Sequence, residues 1–204
     1  MASRSVARPP APDGPGLERL IMLTDAVVAI AMTILVLPVV DVAREVDTAR
    51  LGGFLGDNSD LLWSFAISFV VIYVFWAAHA GALRRLAEGD TQVAGLGLLN
   101  LLWLLVIAFL PFPTAVVGHQ LDTRSAPFYI GTMLVLSALT SAIGLLVDRH
   151  TGRPGQVWAW VTTAVFGACT VISLFDADLG LLALLALLVL RLLERRAVGA
   201  RTAG

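Results

Sequence analysis

The 204-residue sequence has no lysine, so all fourteen of its basic side chains are arginine. Against fifteen acids they leave a formal charge of -1, which removes any global electrostatic attraction to nucleic acid or to an acidic substrate. Cysteine is represented once, by Cys169, so an intrachain disulfide framework and a cysteine-based zinc site are both excluded. That thiol reads as a small apolar filler. Charge of any sign is scarce, at 14% of residues where a soluble domain carries about 25%. With 58% hydrophobic residues and a mean hydropathy of +0.85, a water-soluble globule is excluded too. Also missing are paired carboxylates, a nucleophile beside a histidine, a glycine-rich phosphate loop and metal-ligand spacing. The expectation is a protein that is not an enzyme and needs no cofactor. Arginine-only, Ala/Leu/Val-rich usage suits a GC-rich bacterial coding sequence.

What is present is a series of apolar stretches. A bilayer core needs about 20 apolar residues in a helix. Stretches poor in Asp, Glu and Arg cover 20–40, 61–83, 91–121, 125–147, 154–175 and 179–190, the last extending past Arg191, whose side chain can snorkel. These predict an all-α membrane protein with six transmembrane helices in a domain spanning 17–197. Residues 1–16, with Pro9, Pro10, Pro12 and Pro15, read as a disordered arm rather than a signal peptide, and 198–204 as a tail. Sorted by side, eleven arginines share the face of the N-terminus, against Arg44, Arg50 and Arg124 opposite. The positive-inside rule then places both termini in the cytoplasm, across the inner (plasma) membrane, and an even number of spans satisfies it. The other face carries Asp41, Glu45, Asp47, Asp57, Asp60, Asp122, Asp176 and Asp178, either ordinary loop charges or an acidic rim that concentrates cations.

Ionisable residues inside a span cost about 3 kcal/mol each on insertion scales. Asp25 sits about one turn into the first span, six residues after Arg19. His79, beside Trp76, and Asn100 fall at a comparable depth in the second and third. A carboxylate, an imidazole and an amide at one level can satisfy one another, with an indole N–H as extra donor, and so clamp three helices together. A proton relay through Asp25 and His79, as in a proton-coupled transporter, is the functional alternative; a single carboxylate and histidine make a poor metal set.

On the first span, Ala26, Ile30, Ile34, Leu37 and Asp41 recur at the helical period, with Thr33 on the flank and Asp25 turned away. The pattern fits a lipid-facing or core-packed stripe as well as a functional one. Pro38 predicts helix termination, and Pro111-Phe112-Pro113-Thr114 a bend shaping the outer mouth, where Thr114 caps freed carbonyls or restarts the helix. Trp158 and Trp160 read as interfacial anchors.

The run Arg19-Leu20-Ile21-Met22-Leu23-Thr24-Asp25 resembles the Arg-x-x-x-Phe-Ser-Asp signature of the transmembrane protein 175 family of potassium channels, with Leu23 in place of Phe and Thr24 in place of Ser. The resemblance continues through Phe75-Trp76-Ala77-Ala78-His79, Asn100-Leu101-Leu102 and Leu110-Pro111-Phe112-Pro113-Thr114, covering about half of the chain by motif. It implies a one-repeat bacterial channel that assembles as a homotetramer, with the first helix of each copy lining a central pore. By position it implies a constriction of Ile30, Thr33, Ile34 and Leu37, with Asp41 at the mouth. Behind it stands a clamp of Arg19, Thr24, Asp25, Trp76, His79 and Asn100. The implied activity is passive flux of potassium in preference to sodium, with copies of itself, lipid and monovalent cations as partners. The usual Thr-Val-Gly-Tyr-Gly filter is absent from the sequence, so an aliphatic ring has to select by the cost of shedding water.

Overall fold

The computed structural model describes residues 16–44, 53, 56–87, 93–119, 122, 124–152, 157–180 and 182, and within them the chain is helical without strands. The elements are α1 (Leu17–Ile34), α2 (Leu37–Ala43), α3 (Ser59–Ala87), α4 (Leu96–Phe109), α5 (Pro111–His119), α6 (Ser125–Thr151) and α7 (Val157–Ser173). Among the described residues four helical segments are long and apolar enough to cross a membrane: α1 with α2, α3, α4 with α5, and α6. They correspond to the first four predicted spans and make this a multi-pass membrane protein. The fifth appears as the shorter α7. Most of the sixth, with Arg191, the arm 1–15, the tail and the Trp158 side chain, lies outside the described residues, while Trp160 is exposed.

The helix α6 is the hub, packed against α3, α4, α5 and α7, and half of its apolar window is buried. Its start is set by Asp122, whose Oδ1 accepts the backbone N–H of Ser125 at 2.7 Å and of Arg124 at 2.9 Å. Those bonds, the one from Ser125 foremost, hold the Asp122 carboxyl below the ordinary carboxylate range. Its end is set by Gly152 in the left-handed conformation, φ 66°. Trp103, Ile107 and Leu110 meet Ile130, Met133, Leu136 and Ile143 in an interior with no exposed surface. The outlying span is α1, of whose apolar window only 22% is buried.

Both proline segments interrupt their helices without ending the span. Pro38 does not terminate the first span, contrary to the sequence expectation. The break falls at Leu35 and Val36, and the helix resumes through Pro38 to Ala43. A proline has no N–H for the carbonyl four residues back, but its fixed φ suits a first helical turn, so it restarts a helix as readily as it stops one. In the third span the interruption is confined to Leu110, whose N–H reaches both Val106 and Ile107 carbonyls. Thr114 Oγ1 donates to the Leu110 carbonyl at 2.9 Å, but that oxygen already accepts the Thr114 N–H, so the threonine back-bonds within the restarted helix rather than capping the Ile107 and Phe109 carbonyls, to which the prolines offer no N–H.

Helices α3 and α5 approach closely at Gly118, where an added Cβ would fall 2.5 Å from Ser64 Oγ and 3.4 Å from the Leu61 Cα. The backbone there is at ordinary contact, but Ser64 Oγ and Leu61 Cδ1, the latter at 2.9 Å, would both have to give way in a packed seam. Gly118→Ala is therefore expected to destabilise the fold by about 1–3 kcal/mol, measured as a lower unfolding midpoint in detergent; Gly81→Ala, with open space at the Cβ position, serves as the neutral comparison.

Candidate functional site

Thr24, Val28, Ala31 and Leu35 are each 2–3% exposed and form the packed face of the first span. Their spacing of four, three and four places them on one stripe at about 100° per residue. The opposite arc carries Ala26, Ile30, Thr33, Ile34, Leu37 and Asp41, all exposed in the single chain. Ile30 is 58%, Ile34 42% and Leu37 50% exposed. The helix thus spends one face on its own protomer and leaves an aliphatic column uncovered. Thr33 donates its hydroxyl proton to the Ile30 carbonyl at 2.7 Å, so what it offers outward is oxygen lone pairs, the polarity a cation can use. Asp41 lies at the end of the column, 3.3 Å from Arg44 in a solvent-exposed pair of the kind that contributes little stability.

The polar supports lie close together on α1, α3 and α4 and are joined by two side-chain contacts. Thr24 Oγ1 donates to the Leu20 carbonyl at 2.8 Å and accepts from Asn100 Nδ2 at 3.2 Å, joining α1 to α4 in a buried setting. Asp25 Oδ1 accepts the indole N–H of Trp76 at 2.7 Å, joining α1 to α3. His79, fully buried, stands beside Asn100 and within electrostatic reach of Asp25. It stacks on Trp103 with ring centroids 4.1 Å apart and 28° between planes, and its ring nitrogens have no hydrogen-bond partner among the described residues. Trp103 in turn donates its indole N–H to Thr140 Oγ1 at 2.9 Å, carrying the connection to α6. Arg19 is exposed and forms no ion pair with Asp25 within one chain. Among the described residues no three of His, Cys, Asp and Glu gather as metal ligands.

Three further polar connections escaped the sequence reading. Ser68 Oγ lies 2.7 Å from Tyr129 Oη and 2.9 Å from Thr114 Oγ1, so three buried hydroxyls tie α3, α5 and α6 together beside the proline break. Ser137 Oγ and Ser141 Oγ approach Thr163 Oγ1 at 2.9 and 3.0 Å, binding α6 to α7. Arg85 Nη2 lies 3.5 Å from Asp148 Oδ1, with Asp148 almost wholly buried. The usable signal was hydroxyls and charges within or at the ends of otherwise apolar helices, where unsatisfied polar groups are costly and seek each other. Near the other end, an open cleft of about 350 Å³ separates the two breaks, with Ile34 and Pro38 on one wall and Phe109 and Pro111 on the other.

A family model described as endosomal/lysosomal potassium channel TMEM175 matches residues 19–111, the segment that holds the uncovered column and all of its supports on α1, α3 and α4. A potassium channel of Streptomyces collinus is 33% identical over 142 residues, which is 69% of this chain and 66% of that protein. An endosomal/lysosomal proton channel TMEM175 of Danio rerio is 26% identical over 129 residues, 63% of this chain, and the chain spans only 23% of that relative's length. The crystal structure of a lysosomal potassium-selective channel TMEM175 homolog from Chamaesiphon minutus has the same fold, with a TM-score of 0.72 at 22% identity over 87% of this chain and 97% of that one. With the signature segment inside the matched region and the fold shared, the chain belongs to the TMEM175 family.

Proposed function

We propose that the chain forms a potassium-preferring cation channel, four copies assembling so that α1 of each lines a central pore. The carrying observation is the uncovered column of Ile30, Ile34 and Leu37 on a helix whose opposite face is fully used within the protomer. A single chain contributes one such helix and cannot enclose a path; several around one axis can. In that arrangement the isoleucines and Leu37 form stacked aliphatic rings, Thr33 turns hydroxyl oxygens toward the conduit and Asp41 sits at its mouth. Such a ring charges each ion for the water it sheds. Potassium releases its shell more easily than sodium, so the selectivity is modest and needs no ring of backbone carbonyls and no cofactor. A narrow apolar ring also dewets, which makes a small dilation of α1 sufficient for gating.

Thr24 with Asn100 and Asp25 with Trp76 act here as supports that hold α1 at a set rotation, so that the same side chains always face the axis. His79 belongs to the same support through its stack on Trp103. The domain runs over 17–197 with six spans, both termini cytoplasmic, in the bacterial inner membrane. The relative from Streptomyces collinus, named as a potassium channel, supports the reading for the matched two thirds of its length.

The test is flux from proteoliposomes. Potassium should move down its own gradient with no proton gradient required, and more readily than sodium. Flux obligatorily coupled to protons, and abolished in a folded Asp25→Asn variant, would replace this reading with a proton-coupled transporter.

A further inference from the structure

Helices α3 and α6 lie side by side and run in the same direction, because Ser68 meets Tyr129 near their starts and Arg85 meets Asp148 near their ends. For two parallel right-handed helices in contact at Arg85 and Asp148, the residue before the first and the residue after the second turn to the same side of the pair, about 100° away from the contact. The exposures follow that rule. Leu86 and Val147, on the other side, are 1% and 0% exposed, whereas Arg84 and Arg149 are both exposed. Two arginines therefore stand next to each other on one face, in the last turn of two spans, where a helix leaves the bilayer core for the head groups.

Neither has an acid to neutralise it among the described residues. The nearest carboxylate, Asp148, is buried and already faces Arg85, whose Nη1 also donates to the Gly81 carbonyl. Arg85 Nε is buried without a hydrogen-bond partner. The next acids in the sequence, Glu88 and Asp90, lie outside the described residues. Guanidinium forks match phosphate oxygens two at a time, and at this depth the abundant phosphates are those of lipids.

We infer that Arg84 and Arg149 form a binding site for the phosphodiester of an anionic phospholipid. The lipid lies with its acyl chains against the apolar flanks of α3 and α6 and its head group bridging the two arginines. Its role is to lock the ends of these helices together from outside, as Arg85 and Asp148 do from inside. Arginines at helix C-termini also balance the helix dipole, but that role is indifferent to which lipid is present.

The full chain in neutral detergent, supplied with equal phosphatidylglycerol and phosphatidylcholine of the same acyl chains, tests this by native mass spectrometry of the retained lipid. The wild type should keep phosphatidylglycerol over phosphatidylcholine by about thirtyfold, from two basic contacts, and R84Q/R149Q should keep the two nearly equally. R124Q, at the opposite end of α6, should retain the preference. Should the double variant fail to fold, R84Q and R149Q are read singly, each expected to lose about half of the preference on a logarithmic scale. Equal retention of both lipids by the wild type overturns the inference, as does full preference in the folded arginine variants or its loss in R124Q. Displacement of the lipid by excess inorganic phosphate assigns the site to a soluble anion and overturns it as well.

Discussion

Ile30→Asn is expected to raise potassium conductance on the order of tenfold and to bring the currents of potassium and sodium close together. The reasoning is a comparison of small barriers. A fall of about 1.4 kcal/mol in the cost of crossing the constriction is a tenfold gain in rate, and it is shared among four side chains if four copies surround the pore. An amide holds water where a sec-butyl group excludes it, so ions pass with more of their shell and the difference between shells counts for less. The same substitution has a different outcome if the column faces acyl chains: a polar group in lipid lowers membrane insertion and leaves conductance untouched. Val28→Asn supplies the contrast, because Val28 is 3% exposed and faces the protomer's own core. It should reduce stability without adding conductance. Measured in planar bilayers beside the wild type, unchanged current and selectivity in Ile30→Asn would remove this residue from the permeation path.

The four long spans were legible because exclusion of charge from lipid is a composition rule that needs no knowledge of partners. The outward column of α1 was legible as a period, but its meaning was not: Ile30 and Ile34 look alike whether they face lipid, core or pore, and the packed arc of Thr24, Val28, Ala31 and Leu35 had to be located first. Partner choice was the poorly legible part. Asp25, His79 and Asn100 do lie near one another, yet depth fixes only the position along the membrane normal, and it is the rotation of α1 that pairs Asp25 with Trp76 and Thr24 with Asn100. Trp103 passed unnoticed because an aromatic in an apolar run carries no signal until a flat ring such as His79 is found against it. Pro38 illustrates a further limit, since termination and restart require the same missing N–H.

These supports share a consequence for gating. The lower part of α1, from Leu17 to Ile34, is held by hydrogen bonds at Thr24 and Asp25. Beyond the break, α2 carries Leu37 and Asp41 and has no buried residue. In the proposed tetramer, a displacement of α2 about Leu35 and Val36 would therefore alter the level of Leu37 while leaving that of Ile30 in place. At that level an open cleft, lined by Leu37 and Pro38 on one side and Phe109 and Pro111 on the other, separates α2 from the third span.

Asp148→Leu is expected to cost about 3 kcal/mol of stability, placing it among the most damaging single substitutions outside the proposed pore. The loss comes from Arg85 rather than from the attraction removed. With Asp148 gone, a guanidinium whose side chain is 22% exposed, and whose Nε already lacks a partner, keeps its charge at the edge of the apolar core. Partial exposure lets it shift toward the head groups, which holds the cost near the lower end of the 3–5 kcal/mol typical of a broken buried pair. Arg85→Met combined with Asp148→Leu removes both charges and should recover part of that loss, because apolar packing replaces a buried pair at little net cost, while the further contact that Asp148 makes is lost in both variants. The unfolding midpoint in neutral detergent measures all three variants. If the single substitution proves as mild as the double, the contact contributes nothing, and the parallel alignment of α3 and α6 rests on the Ser68, Tyr129 and Thr114 hydroxyls and on the apolar interior alone. If the double restores part of what the single loses, the pair's value lies in mutual neutralisation, and the platform against which α1 packs depends on both charges or on neither.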